Sequence, residues 1–395
     1  MSEASAHKLS YIEEVTLGTT PTNPRFQSLL DTRTTLALVK DTLETERLTG
    51  DRFPAQPRMG ARKVIGDIPA ELSYGAYDDF IASAMQGDWV QASVGEDDVD
   101  ITINAVPTAG IVATDTYATA NGVVTFESVD SHNQVVEAVY EPTVPGAAIN
   151  YTFNGLETIE IDGEDFEVTA YTDVQEDFTV KAGDTRKSFS ILREFSDFEG
   201  GEKPFLLYKG CEVSSWSIEA ANNSIAKSTF SFFGLDMEGP STAAPSNTYY
   251  KNAIVTKQFD TFKGDIKIDT VVDCNVTEYS LTINNGHDAK FTVGCPTSGK
   301  ASITESIVSG SITVYYANAD LYEKFVDEIP MSLELTLTDL AGNKLIIDLP
   351  NLKIGSDTSP SVSADGSITM TLNFTAHKDD TLGSHVSVRR IADNS

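Results

Sequence analysis

The sequence has few of the residues that bind metals or form redox centres. Its 395 residues include three cysteines and five histidines. Cys211, Cys274 and Cys295 are odd in number and lack the paired spacing of zinc or redox motifs. We therefore expect three buried, reduced thiols, and neither a cofactor nor a metal centre built from the scattered histidines.

Long apolar runs are also missing. No run approaches the roughly 18 consecutive apolar residues that a membrane-spanning helix needs. The opening segment Met1–Lys8 lacks the apolar centre of a signal peptide. These absences predict a protein that does not insert into a membrane and is made in a cytoplasm.

Catalytic motifs are equally scarce. Gly294–Ala301 is close to a nucleotide-binding P-loop, but Ala301 stands where that loop needs Ser or Thr, and a strand pattern follows it. We expect a loop between strands there. The acidic clusters at 96–100 and 162–165 lack the full spacing of a calcium loop, so bound calcium stays an open question. Because no nucleophile elbow, zinc-protease pair or Cys-x-x-Cys occurs, we expect no enzyme.

Basic residues are few as well: 28 Lys and Arg stand against 59 Asp and Glu, giving a net charge of −31. A protein that binds DNA without regard to sequence needs the opposite sign, because it must neutralise phosphates. Two interpretations of the acidity remain. It can serve solubility alone, or it can keep a surface that lies near DNA from adhering to it.

The distribution of charge is uneven. No Lys or Arg occurs between Val64 and Val180, whereas residues 92–178 carry 18 acidic residues. The first 63 residues hold nine basic groups, among them Arg47, Arg52, Arg58, Arg62 and Lys63. This polarity predicts a basic arm at residues 40–63 that bridges neighbouring copies of an acidic chain.

Most segments read as strands. Apolar and polar residues alternate with a period of two through 333–337, 368–374 and 215–219, the pattern of sheets with one buried face. Helix signals are confined to Tyr77–Met85 and Asp320–Asp327. The predicted class is mainly β with two short flanking helices.

The two helices indicate an internal repeat. Gly66–Leu72 precedes a Tyr-x-x-Phe motif at 77–80, and Gly310–Tyr316 precedes a second one at 322–325. Each motif places two rings on one helical face. Each copy then closes with a pair of strands, so the order of elements predicts a duplication.

The first copy is about 100 residues longer than the second between its helix and its closing strand. We place an acidic, β-rich insertion at residues 92–178 to account for the difference. The predicted domains are listed here in chain order: an N-terminal segment and arm at 1–63, a first β-domain at 64–240 with that insertion, a linker at 241–261 and a second β-domain at 262–395.

Several segments, spread in order through nearly the whole chain, carry a family likeness. They are residues 13–24 (EEVTLGTTPTNP), 43–47, 58–62, 66–69, 71–80, 86–89, 185–191, 319–325 and 336–339. These segments resemble the major tail tube proteins of siphophages, the long-tailed bacteriophages. The resemblance implies a β-sandwich or barrel subunit that forms stacked rings in the virion tail, a hollow tube that conducts the genome, assembled in the host cytoplasm.

The resemblance also implies partners: other copies of the chain, and the tail terminator, tape measure and distal tail proteins. A sixfold tube needs six sheet-forming units per ring, so a chain with two units predicts trimeric rings with pseudo-sixfold symmetry. We expect DNA to pass through the lumen without sticking to it. An adhesin or receptor-binding β-sandwich of a virion or cell surface is the alternative function.

The polar faces of the predicted strands are candidates for the lumen. They contain hydroxyls, amides and carboxylates but neither Lys nor Arg: Ser215, Ser217, Glu219, Thr229, Ser231, Glu334, Thr336, Thr338, Thr369, Thr371 and Asn373. Four carboxylates opposite apolar positions are the candidate lumen-facing acids: Glu71, Glu219, Glu334 and Asp348. The sequence leaves open whether these faces meet the lumen, solvent or another layer.

Overall fold

The computed structural model describes residues 7–30, 33–44, 56–91, 123–127, 135–139, 151–153, 158–161, 164–167, 178–198, 202–222, 224–273, 275–355, 359–362 and 366–392. Within these ranges the protein is mainly β, as predicted. Arg47 and Arg52 of the basic arm, Cys274, and the acidic cluster at 96–100 lie outside them.

The predicted helices are present as α1 (Asp78–Met85) and α2 (Asp320–Val326). The strands of the first part are β1 (His7–Glu13), β2 (Arg25–Ser28), β3 (Ala37–Leu43), β4 (Arg58–Glu71), β5 (Val90–Gln91), β6 (Val123–Glu127), β7 (Val135–Val139), β8 (Tyr151–Phe153), β9 (Thr158–Ile161), β10 (Glu164–Glu167), β11 (Phe178–Lys181), β12 (Phe189–Phe195), β13 (Phe205–Ala221), β14 (Lys227–Gly234) and β15 (Asp236–Ser241). Those of the second part are β16 (Tyr249–Lys251), β17 (Asp260–Ile268), β18 (Val271–Val272), β19 (Val276–Asn284), β20 (His287–Asp288), β21 (Ser302–Ile303), β22 (Ile307–Tyr315), β23 (Met331–Thr338), β24 (Lys344–Ile354), β25 (Pro360–Val362), β26 (Ile368–Ala376) and β27 (Ser387–Ile391).

The chain divides into two compact units. Met1–Val90 and Phe178–Asp393 make one, and Gln91–Asp177 belongs to the other. In the second unit β6 pairs with β7, and β9 pairs with β8 and β10, all antiparallel. The pairing of β10 with β9 runs from Glu164 to Glu167.

The larger unit is built around one long sheet. Its neighbouring strands run in the order β3, β4, β14, β13, β19, β22 and β26. Apolar side chains of alternate positions point into the core, where Trp216 stacks on Phe230 with ring centroids 5.8 Å apart. The indole N–H of Trp216 is satisfied there, donating to Ser228 Oγ at 2.7 Å. The period of two therefore sorts each strand into a core face and a polar face.

A second layer covers the same core. It centres on β24, which pairs with β23 on one side and with β27 and β26 on the other. Leu333, Leu335 and Ile347 point inward and join the same hydrophobic cluster as Trp216. The shared cluster makes the larger unit a β-sandwich, as expected from buried faces that must find a partner layer.

Helix α1 fills one end of this core. Phe80 is fully buried among the rings of Tyr11, Phe189, Phe230 and Phe232, with centroids 4.5 to 5.5 Å apart. Removing a buried Phe ring costs about 3–5 kcal/mol of stability. The Tyr-x-x-Phe motif of the first copy is therefore a core element.

The two parts of the larger unit repeat one pattern of pairings. In the first, β3 pairs with β4, β4 with β14, β14 with β13 and β13 with β12. In the second, β19 pairs with β22, β22 with β26, β26 with β24 and β24 with β23. Each series also has its helix after the second strand. The two series correspond strand for strand.

One glycine marks the same place in both series. Gly66 lies opposite Phe232, and a Cβ added to it would be 2.5 Å from the Leu36 backbone. Gly310 lies opposite Leu281 and Phe374, and an added Cβ would be 2.2 Å from the carbonyl oxygen of Ser280. Both strands come too close to their neighbours to carry a side chain there.

Two predicted boundaries fall within ordered structure. β4 runs across residue 64, where the first β-domain was expected to begin. The expected linker at 241–261 contains β16, which pairs with β2, and the buried Phe259, whose N–H donates to the Leu72 carbonyl at 2.8 Å.

Candidate functional site

The polar face of the long sheet is the largest ordered arrangement of like side chains in the described chain. Alternate residues of six strands, joined at one end by Lys353 of β24, point away from the core and line up across the strands in four rows. The rows, in strand order, are Asp67, Ser231, Ser215, Asn284 and Ile307; Pro69, Thr229, Ser217, Thr282, Ser309, Thr375 and Lys353; Glu71, Lys227, Glu219, Ser280, Ser311 and Asn373; and Ala221, Glu278, Thr313 and Thr371. We call this surface the hydroxyl face.

Serine and threonine dominate the hydroxyl face, and some of them bond across the strands. Ser280 Oγ lies 2.9 Å from Ser311 Oγ, and Thr313 Oγ1 lies 3.1 Å from Thr371 Oγ1. Cross-strand hydroxyl pairs add modestly to sheet stability, and the hydroxyls of a pair are hydrogen-bonded to each other. The result is a surface of short, neutral and partly satisfied groups.

Charges on the hydroxyl face are mostly negative. Asp67, Glu71, Glu219 and Glu278 stand in the rows, against two lysines: Lys227, in register between Glu71 and Glu219, and Lys353, at the end of the second row. The prediction that the listed polar faces hold neither Lys nor Arg did not consider Lys227, because the list begins on this strand at Thr229, two residues later. Its carboxylate neighbours offset its charge at the spacing of cross-strand pairs.

The structure separates the four predicted lumen carboxylates into two pairs. Glu71 and Glu219 lie on the hydroxyl face. Glu334 and Asp348 lie opposite each other on β23 and β24, in the layer on the other side of the core. Glu334 accepts from Lys267 Nζ at 2.6 Å and from Arg389 Nη2 at 3.5 Å.

Asp348 is half-buried beside this ion-pair cluster. Burial raises its pKa above the ordinary value of 3.8, the charge of Glu334 raises it further, and Arg389 opposes the shift. Thr338, expected on a polar face with Glu334, is buried at the end of β23.

The described part of the predicted basic arm lies mainly at the ends of β3 and β4. Arg62 donates through Nη2 to Asp236 Oδ2 at 2.8 Å, and its main chain exchanges bonds with Pro296 and Ser298. Arg58 and Lys63 lie in the same strand, opposite β3. The basic residues are thus carried to one end of the long sheet, where β3 and β4 lead into the undescribed segment 45–55.

A family model for the phage tail tube protein matches residues 4–376 of the chain. The chain belongs to the phage tail tube protein family. This tail tube protein is therefore a structural component of the phage tail, from a family whose members assemble into a tube. Comparison with curated proteins found no match.

Other predicted chemistry in the tail tube protein can now be located. The residues of the P-loop-like segment form turns between β20 and β21, and strand β22 follows, so the predicted loop between strands is confirmed. Cys211 and Cys295 are free thiols; Cys211 is buried, and burial raises its pKa, but Cys295 is exposed, contrary to expectation. It lies in this same polar turn region, where no core is available to cover it.

The described residues contain neither a candidate metal cluster nor a candidate membrane-spanning helix. In the ranges that the structure covers, no cluster of three or more His, Cys, Asp or Glu side chains is placed to hold a metal ion. Neither α1 nor α2, the helices of the described chain, has the length and apolar character that crossing a membrane requires.

The sequence reasoning missed half of the hydroxyl face of the tail tube protein. Strand β19 alternates Glu278, Ser280, Thr282 and Asn284 with the buried Tyr279, Leu281 and Ile283. This is a clear period of two that would have identified the strand. Its place in the centre of the sheet, as the strand of the second series that pairs with β13 of the first, could not be found from the pattern.

Proposed function

We propose that this tail tube protein polymerises into stacked rings that form the DNA conduit of the tail, with the hydroxyl face lining the lumen. The observation that supports the proposal is the composition of the four rows: they consist largely of short hydroxyls and carboxylates, with Lys227 in register between Glu71 and Glu219 and a second lysine, Lys353, at the end of one row. Such a surface repels phosphate and offers no paired Arg fork that would hold it. DNA can then slide without a strong stop.

Geometry sets the choice of face. The opposite layer carries Lys267 and Arg389 around Glu334 and has no comparable rows of hydroxyls in the described residues. Of the four predicted lumen carboxylates, we therefore assign Glu71 and Glu219 to the lumen, and Glu334 and Asp348 to the outer layer of the tube wall.

The repeated pairings support a trimeric ring. Each series supplies a set of four neighbouring strands: β3, β4, β14 and β13 in the first, and β19, β22 and β26 in the second, where the fourth place beside β26 is shared by the end of β24 and by β25. Six such sets close a pseudo-sixfold ring, so three chains suffice. A duplication of one ancestral tube unit explains both series, and the acidic insertion belongs on the outside, where it leaves the lumen open.

Electron microscopy of the purified protein tests the assembly. We expect hollow tubes whose end views show three outer features per ring. Six whole chains around the axis would contradict the trimer, and monomers at all concentrations would favour the adhesin alternative. The other tail components named above would cap and fill such a tube.

A charge reversal tests the lumen assignment. Glu219→Lys should leave tubes intact but slow DNA ejection from phage particles, most strongly at low salt, because each added Lys gives phosphate a contact. Thr336→Lys, on the outer layer, is the matched control and should eject DNA at the normal rate. Equal ejection rates for both variants would remove the support for the hydroxyl face as lumen.

A further inference from the structure

The two series of strands meet inside the chain at one junction. Ser215–Ala221 of β13 pairs antiparallel with Asn284–Glu278 of β19, with Ile218 opposite Leu281. This junction joins the last strand of the first series to the first strand of the second. It shows how a strand of one series pairs with the first strand of the next series.

The counterparts of these two strands are both at edges. The counterpart of β19 is β3, since each pairs with the strand that carries the crossing glycine. The counterpart of residues 215–219 of β13 is β25. The first pairs with β14, and the second pairs with β26, which is the counterpart of β14. Within the described residues, the only registered pairings of these strands are β3 with β4 and β25 with β26, so one side of each strand has no paired neighbour there.

We propose that β25 of one subunit pairs antiparallel with β3 of a second copy, in the register of the internal junction. The inference rests on the proposed assembly into rings and names the surfaces that meet. Leu36 faces Gly66 as Leu281 faces Gly310, and Pro360 faces Met370 as Ile218 faces Ser228. A seam that repeats the pairing of Ile218 with Leu281 therefore places Pro360 of one subunit opposite Leu36 of the second copy, and Ser359 opposite its Ala37.

The chemistry at this position is consistent with that register. Pro360 has no N–H to donate, which is why proline is confined to edges and special positions of sheets. The carbonyl of Leu36 does not need a donor from Pro360, because it already accepts from Tyr208 Oη at 3.0 Å and from Arg193 Nη1 at 3.1 Å. Neither group is left unsatisfied by the pairing.

The helices supply a second, independent observation. Helix α1 has six buried residues, and Asn285, at the end of β19, donates to its Ala84 carbonyl at 2.8 Å. Helix α2 has no buried residue, and Val326 and the adjacent Ile329 are 60% and 47% exposed. Because β3 is the counterpart of β19, β3 of another copy is the strand that would cover α2 in the same way.

The shape and apolar lining of a nearby groove fit the same occupant. A groove of about 510 Å³ lies between α2 and the end of β24, lined by Phe325, Val326, Ile329 and Ile354 among others. The end of β3 that would enter it carries Lys40 and the exposed Leu43.

Engineered cysteines test the register. With Cys295→Ser as background, Ser359→Cys with Ala37→Cys should form disulfides between subunits of oxidised tubes, and Ser359→Cys with Asp41→Cys should not. We expect at least about tenfold more cross-linked product from the first pair, because Cα atoms more than ~7 Å apart cannot be bridged. Tubes that form but cross-link equally, or only through the mismatched pair, would overturn the seam while leaving the proposed function intact.

The helix face is tested separately. Val326→Asp should leave the subunit folded, since this side chain is exposed, yet prevent tubes, whereas Val326→Ala should assemble. Circular dichroism checks folding, and microscopy checks assembly. Normal tubes from Val326→Asp would exclude α2 from the seam, and failure of the unmodified protein to form tubes would overturn the proposed function itself.

Discussion

Asp78 and Arg390 form an ion pair that ties the first turn of α1 to the last strand, β27. The guanidinium of Arg390 also lies over the rings of Phe178, Trp89 and Tyr74, at 4.4 to 5.7 Å from their centroids. Burial raises the pKa of Asp78, and the charge of Arg390 opposes that shift. The two ends of the larger unit are thus held together by a desolvated charge pair.

Removing the cation of this pair should destabilise the protein strongly. Arg390→Met leaves the buried Asp78 carboxylate without its partner, a change that costs about 3–5 kcal/mol at other buried pairs. The double variant Asp78→Asn with Arg390→Met should recover part of the loss. Urea unfolding measures both, and Lys290→Met, in an exposed ion pair with Asp288, is the control that should change little. A small effect of Arg390→Met would show that the pair does not stabilise this end of the fold.

The raised pKa of Asp348 predicts a pH-dependent effect. Because the folded state binds this proton more tightly than the unfolded chain, ionised Asp348 opposes folding at neutral pH. Asp348→Asn should therefore raise the thermal midpoint at pH 7, and the gain should vanish as the pH falls toward 3.8. The exposed Asp380→Asn is the matched control. A gain that persists unchanged at acidic pH would contradict this origin.

The crossing glycines should tolerate no side chain. Gly310→Ala places a methyl group 2.2 Å from the Ser280 carbonyl oxygen, and a clash of this kind costs roughly 1–3 kcal/mol or more. Gly66→Ala should behave alike, since its Cβ would meet the Leu36 backbone. Gly299→Ala meets nothing closer than 3.6 Å and serves as control. Equal unfolding midpoints for Gly310→Ala and Gly299→Ala would show that the sheet yields at this position.

The basic arm should be needed for polymerisation and dispensable for folding. Replacing residues 45–55 by a short Gly-Ser turn leaves the paired strands β3 and β4 in place and removes Arg47 and Arg52. We expect soluble, folded subunits that fail to form tubes, because the attraction between the basic arm and acidic neighbouring subunits is lost. Sedimentation and microscopy measure assembly. Full-length tubes from this variant would refute the bridging role, and a Lys-for-Arg replacement of both residues is the control that should assemble.

Local pattern determined a large part of this protein. The period of two identified β13 and β26 of the long sheet and β23 of the second layer, because side chains of a strand point to opposite faces whatever their partners. Both helices and the loop at 294–301 followed from similar local signals. The order of these elements, together with the family likeness, indicated the repeat and the tail tube family.

Only the tertiary structure decided which polar faces belong together. Glu71, Glu219, Glu334 and Asp348 look alike in sequence, since each sits opposite apolar positions in a strand. The pairing of β13 with β19, across about 60 residues of chain, places two of them on the hydroxyl face, and the pairing of β23 with β24 places the other two on the opposite layer. Strand pairing depends on main-chain hydrogen bonds and on the shared core between layers, and neither is written in the period of any one strand.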